Sequence, residues 1–139
     1  MRAEVVLEGL EAPEGPVVLA SGAVAFVEQL RGQVTRWDAA AGPHVVSRGP
    51  GAPNSIALGS DGALYAAQNG GVVNEWRAEV PTHPAIERRG LDGTIETLVT
   101  AIGDDPLRAP NDLLFGPDGS LYVTDPGEAH DPPHPQARS

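Results

Sequence analysis

Three oxygen-bearing side chains stand at matching places in this sequence: Glu14 in Ala12-Pro13-Glu14, Asn54 in Ala52-Pro53-Asn54 and Asn111 in Ala109-Pro110-Asn111. A carboxylate and two amides brought to one point form a hard oxygen set that suits Ca2+, Mg2+ or Mn2+ and can admit Zn2+, with no thiolate needed. An Asn after Pro also closes Asx turns, so the residue type alone leaves the turn and ligand readings open, and recurrence at one repeat position favours the ligand. Other candidates are poorer. His130 and His134 are four apart, a metal-ligand spacing only on a helix, and Pro132 and Pro133 between them oppose one. Ser21, Ser55 and Ser60 lack the strand-turn-helix setting of a nucleophile elbow. The absence of cysteine removes disulfides, thiolate ligands and cysteine nucleophiles. Glu75 and Trp76 read either as loop anchors or as lining of a channel mouth.

The elements that would position these groups follow from internal repetition. Residues 52–65 and 109–122 share Ala-Pro-Asn, a central Gly, Asp-Gly and Leu-Tyr at the same places, and a fainter copy starts at Ala12 with Gly22 replacing Gly62 and Gly119. The offsets are 40 and 57 residues. Each copy is an apolar run, a glycine turn and a second apolar run, the grammar of a β-hairpin. Asp61 and Asp118 precede the turn glycines without any EF-hand spacing of acidic residues and so serve the turn.

Gln33–Trp37, His44–Ser47 and Thr94–Val99 read as further strands, with Asp92-Gly93 as the turn before the last. Units of about forty residues with four short strands each are the signature of a β-propeller. Residues 3–8 read as an outer strand given to a neighbouring blade, and the insertion at 72–90 as a surface loop. The expected fold is all-β, an incomplete propeller of about two and a half to three blades, where a closed ring needs about four to eight. Residues 1–125 hold these N-terminal blades, and 126–139, with four prolines and no apolar periodicity, form a loop or disordered tail. The expectation is the N-terminal half of a larger molecule, whose open blade edges favour self-association.

Composition narrows the function classes. The 139 residues fit one domain, and 17 glycines with 14 prolines exclude long helices. A net charge of −10 repels nucleic acid and anionic membrane surfaces. No apolar run approaches the ~18 residues of a membrane span, and Glu4 and Glu8 interrupt any leader-like N-terminus. The default is a soluble, cytoplasmic protein.

The segments Glu14-Gly15-Pro16-Val17, Gly51-Ala52-Pro53-Asn54, Asn69-Gly70-Gly71, Ala109-Pro110-Asn111-Asp112-Leu113 and Tyr122-Val123-Thr124-Asp125-Pro126-Gly127 resemble the SMP-30/gluconolactonase/LRE-like family over about residues 4–127. The resemblance implies a six-bladed propeller with one divalent metal in its channel, Ca2+ first and Zn2+, Mn2+ or Mg2+ as alternatives, and hydrolysis of a sugar-type or other small lactone. By the same resemblance Glu14 and Asn111 are metal ligands, and Asn54 contacts substrate or metal-bound water. The family's remaining ligand, an Asp that also serves as acid/base, has no counterpart here, so no catalytic residue is expected in this chain and the fragment is expected to be inactive alone. The alternative class is a non-catalytic propeller that presents loops to partners.

Overall fold

The computed structural model describes residues 2–73 and 75–127. His130 and His134, and the assigned tail from residue 128 onward, lie outside the described residues.

Short runs of small and β-branched residues, each ended by a glycine turn, build antiparallel strands. β1 (Pro13–Val18), β2 (Val24–Glu28), β3 (Gln33–Asp38) and β4 (Gly42–Arg48) pair in that order as one four-stranded sheet. A 3-10 turn over Gln29–Arg31 joins β2 to β3. β5 (Pro53–Leu58) and β6 (Leu64–Gln68) open the second sheet, and a small inserted hairpin follows, β7 (Val72–Val73) with β8 (Trp76–Arg77). β9 (Ala85–Arg89) and β10 (Ile95–Val99) complete the second sheet in the order β10-β9-β6-β5. A short hairpin of β11 (Ala101–Ile102) and β12 (Asp105–Pro106) leads to a longer one of β13 (Leu113–Phe115) and β14 (Leu121–Val123).

The hairpin turns have a common mechanism. Gly59 N–H donates to Ala63 O at 2.9 Å, Gly62 N–H donates back to Gly59 O at 3.0 Å, and Asp61 Oδ1 accepts from Ala63 N–H at 3.1 Å. Gly62 takes a φ of +79°, a region in which only glycine is unstrained. Gly116, Asp118, Gly119 and Ser120 repeat the arrangement, and Asp92 does the same ahead of β10. These aspartates cap turns, as their Asp-Gly setting predicts.

Two apolar clusters glue the sheets face to face. Val27, Val34, Ile56 and Leu64 meet between the first and second sheets, with Ala25 and Ala66 allowing close approach. Ala67, Ile86 and Leu113 meet between the second sheet and β13–β14. Tyr65 points its ring edge at Phe115, 5.0 Å between centroids and 89° between planes. Each fully buried Val, Leu or Ile contributes roughly 1.5–3 kcal/mol. The described residues are therefore all-β: two four-stranded blades, the opening hairpin of a third and two short hairpins, β7–β8 and β11–β12.

Two expectations need correction. Residues 3–8 form no strand, pair with no sheet among the described residues and are mostly exposed. Residues 85–89, assigned above to a surface insertion, are the third strand of the second blade. This strand carries three consecutive charges, Glu87-Arg88-Arg89. In the fold Glu87 and Arg89 share one face and neutralise each other, Glu87 Oε2 accepting from Arg89 Nη2 at 2.7 Å and from Nε at 2.9 Å, with Arg89 fully buried. The true insertion ends before Ala85.

Candidate functional site

The heads of the innermost strands lie side by side, β1 against β5 and β5 against β13. Glycine makes the first contact. A Cβ on Gly15 would stand 2.5 Å from Ser55 Cα, and its φ is +52°, so only glycine lets β1 close on β5 here. Glu14, one residue earlier, is exposed, and its carboxylate has no hydrogen bond or ion pair among the described residues.

Asn54 is half-buried and held at both ends of its amide. Its Oδ1 accepts from Gln29 Nε2 in the 3-10 turn of the first blade, and its Nδ2 donates to the backbone O of Asn111 at 3.0 Å, in front of the third. Asn111 is exposed, its N–H donates to Thr124 O at 2.9 Å, and its side-chain amide is uncommitted. Among the described residues neither asparagine closes an Asx turn. The structure thus joins Asn54 to Asn111 directly and brings the strand bearing Glu14 alongside the strand bearing Asn54.

Three supporting residues were invisible as such in the sequence. Gln29 sits in a polar stretch with no motif. Glu28, before it, is almost fully buried; Oε1 accepts from Thr35 Oγ1 at 2.6 Å and Gln33 Nε2 at 2.7 Å, and Oε2 from Arg31 Nη1 at 2.7 Å and Glu11 N–H at 3.2 Å. Burial pushes this carboxyl upward, but the bonds from Thr35, the Glu11 N–H and Gln33, with the Arg31 charge, together hold it below the usual range. Asp125 accepts from the N–H groups of Arg108 at 2.8 Å and Ala109 at 2.9 Å and from Gly127 N–H at 3.1 Å. Its partial burial is likewise outweighed, so its pKa is also depressed. Asp125 belongs to a motif quoted for the resemblance, yet nothing in the sequence shows that it grips the loop in front of Asn111.

Among the described residues no three His, Cys, Asp or Glu side chains gather in a metal-binding group, so the available donors are the mixed carboxylate and amide set. The side-chain oxygens of Glu14 and Asn111 are uncommitted and of the hard type that divalent cations take, whereas Asn54 Oδ1 is engaged by Gln29. Ser21 Oγ accepts from Ala23 N–H within a turn, and Ser55 is buried between blades; neither is placed as a nucleophile. Trp76 forms part of the wall of a cleft, while Glu75 is exposed in the turn of the inserted hairpin.

The blade arrangement is shared with solved structures. The chain superposes on a Xanthomonas campestris gluconolactonase, described as important in glucose secondary metabolic pathways, with a TM-score of 0.70 and 23% identity, covering 84% of this chain and 36% of that one. A structure assigned provisionally as a gluconolactonase gives a TM-score of 0.69 at 25% identity over 86% of this chain and 38% of its own. The virginiamycin B lyase of Staphylococcus aureus gives 0.62 at 22% identity over 81% and 34%. The chain therefore spans little more than a third of the structures it matches. No curated protein matches it. Among the described residues no helix is long and apolar enough to cross a membrane. The model of the SMP-30/Gluconolactonase/LRE-like region matches residues 12–138, and the chain belongs to that family.

Proposed function

We propose that this chain supplies part of the site of a metal-dependent lactone hydrolase acting on a sugar-type or other small lactone. The observation that carries the reading is the division of labour at the strand heads: Asn54 is locked by Gln29 and Asn111, whereas the Glu14 carboxylate and the Asn111 amide remain free. Free hard donors beside a rigid amide suit a metal site better than a loop-presenting module, which has no need of them.

Glu14 and Asn111 hold the ion in this reading, with Ca2+ first among Ca2+, Zn2+, Mn2+ and Mg2+. A divalent ion there supplies Lewis-acid polarisation of a lactone carbonyl. Asn54 has one amide proton and one lone pair beyond its two protein bonds, and these orient the lactone or the attacking water. The proton-transferring group is assigned to the blades that the matched gluconolactonase has and this stretch does not cover, so the 139 residues alone bind metal weakly and turn over no lactone.

The test is a pH-indicator assay with gluconolactone on this chain and on the chain extended through further blades. The extended form should show hydrolysis abolished by chelator and restored by a divalent ion. Robust hydrolysis by the 139 residues, or chelator-insensitive hydrolysis by the longer form, contradicts the reading.

A further inference from the structure

A second polar site lies between the first and second blades. A cleft of about 810 Å3 is walled by Arg31, Arg48, Gly51, Trp76, Arg77 and Glu79, among others. Three arginines against one glutamate is the reverse of the chain as a whole, which carries only nine basic side chains and a net charge of −10. Arg31 is engaged by Glu28, Glu11 and Gly9 O. Arg48 is not: it makes no ion pair among the described residues, and only its Nε is committed, donating to Arg31 O at 3.1 Å. That bond fixes the plane of the guanidinium and leaves both Nη groups to donate.

The walls are fastened. Gln68, fully buried, accepts from Ala52 N–H at 2.7 Å and Gly70 N–H at 3.1 Å and donates to Pro50 O at 3.0 Å. Gly51 N–H donates to Val80 O at 2.8 Å, tying the inserted segment to the loop between blades. Gly51 also lies three residues before Asn54, and Arg31 two residues after the Gln29 that holds it. The cleft and the strand-head site therefore share their supporting loops.

We propose that this cleft binds the carboxylate of a small polyhydroxy acid. The Arg48 fork matches a carboxylate in a bidentate geometry, and the half-buried indole of Trp76 offers an apolar face to the C–H side of a polyol. The choice of a polyhydroxy acid rests on the proposed lactone hydrolysis, which releases one; the preference for an anion rests on Arg48, whose charge no carboxylate among the described residues answers.

The experiment is a titration of the chain with sodium gluconate at low ionic strength, read by tryptophan fluorescence and by calorimetry, with glucose and inorganic phosphate as comparison probes. Gluconate should give saturable binding, glucose none, and phosphate binding at least fivefold weaker. Arg48→Ala should weaken gluconate by roughly tenfold or more, and Glu79→Gln should tighten it. Trp76→Phe should remove the fluorescence response while calorimetry still records binding, and Arg36→Ala, outside the cleft, should change neither. If Arg48→Ala does not melt like the wild type, Arg48→Lys decides: it keeps the charge, loses the fork, and should still weaken gluconate severalfold. Equal responses to gluconate and glucose, or unchanged affinity in the folded Arg48 variant, overturns the cleft. Phosphate binding as tightly as gluconate overturns the polyhydroxy acid as its occupant. Gluconate binding that persists when the extended chain proves unable to open lactones overturns the proposed function and leaves the cleft standing.

Discussion

The Asp125 carboxylate accepts the backbone N–H of Ala109 at 2.9 Å, and this one bond ties together two motifs that lie sixteen residues apart. With the parallel bond from Arg108 N–H it clamps the loop that ends in Asn111. The Thr-Asp-Pro-Gly segment is thus a brace for the Pro-Asn-Asp segment.

Asp125→Ala should free that loop. Three charge-assisted backbone bonds are lost, those from Arg108, Ala109 and Gly127, but the carboxylate is exposed and water replaces part of them, so the cost is about 1 kcal/mol. Amide exchange at Arg108 and Ala109 should speed up, while exchange in β2 and β3 stays unchanged. The folded pKa is depressed from the ordinary 3.8, so the stabilisation is complete above that value and fades as pH falls through the lower folded pKa. An Asp125→Ala variant that loses stability in parallel with the wild type on acidification would contradict this role.

Glu28→Gln should cost more, about 2–3 kcal/mol, because it removes a buried anion and leaves Arg31 without its buried partner. The sign again follows from a lowered pKa. Stability is present above 4.5 and is lost as pH falls through the depressed folded value, so wild type and variant should converge in acid. Denaturant melts at neutral and acid pH measure the gap.

Gly15→Ala and Gly22→Ala separate two kinds of glycine requirement. Both have positive φ, but a Cβ at Gly22 meets nothing within 4 Å, whereas at Gly15 it runs into the Ser55 backbone. Gly22→Ala should cost about 1 kcal/mol from conformation alone. Gly15→Ala should cost several times that and weaken metal binding too, since β1 can no longer sit against β5. Equal melting shifts in the two variants would argue against the close approach of these strands.

Much of the fold was legible because turn chemistry and alternation agreed. Asp61-Gly62 and Asp118-Gly119 mark hairpins whose flanking runs became β5–β6 and β13–β14. β9 was missed because Glu87 and Arg89 neutralise each other within a buried face, and sequence patterning counts each as solvated. Residues 3–8 have strand-like composition, yet they pair with none of the sheets among the described residues, and composition alone does not fix a pairing. At the candidate site the recurrence of Glu14, Asn54 and Asn111 located the strand heads. Gln29 and Asp125 were hidden because their contacts cross 25 and 16 residues with no spacing rule to connect them.

In the proposed site Glu14 and Asn111 present donors to one divalent ion while Asn54 serves as a fixed amide beside it. Calorimetric titration of the extended chain with Ca2+ tests it most directly, comparing the wild type with Glu14→Gln and Asn111→Ala, each shown by its melt to be folded. One site is expected in the wild type and roughly tenfold or greater weakening in each variant, the loss of one charged or strongly dipolar ligand. Wild-type affinity in both folded variants contradicts it.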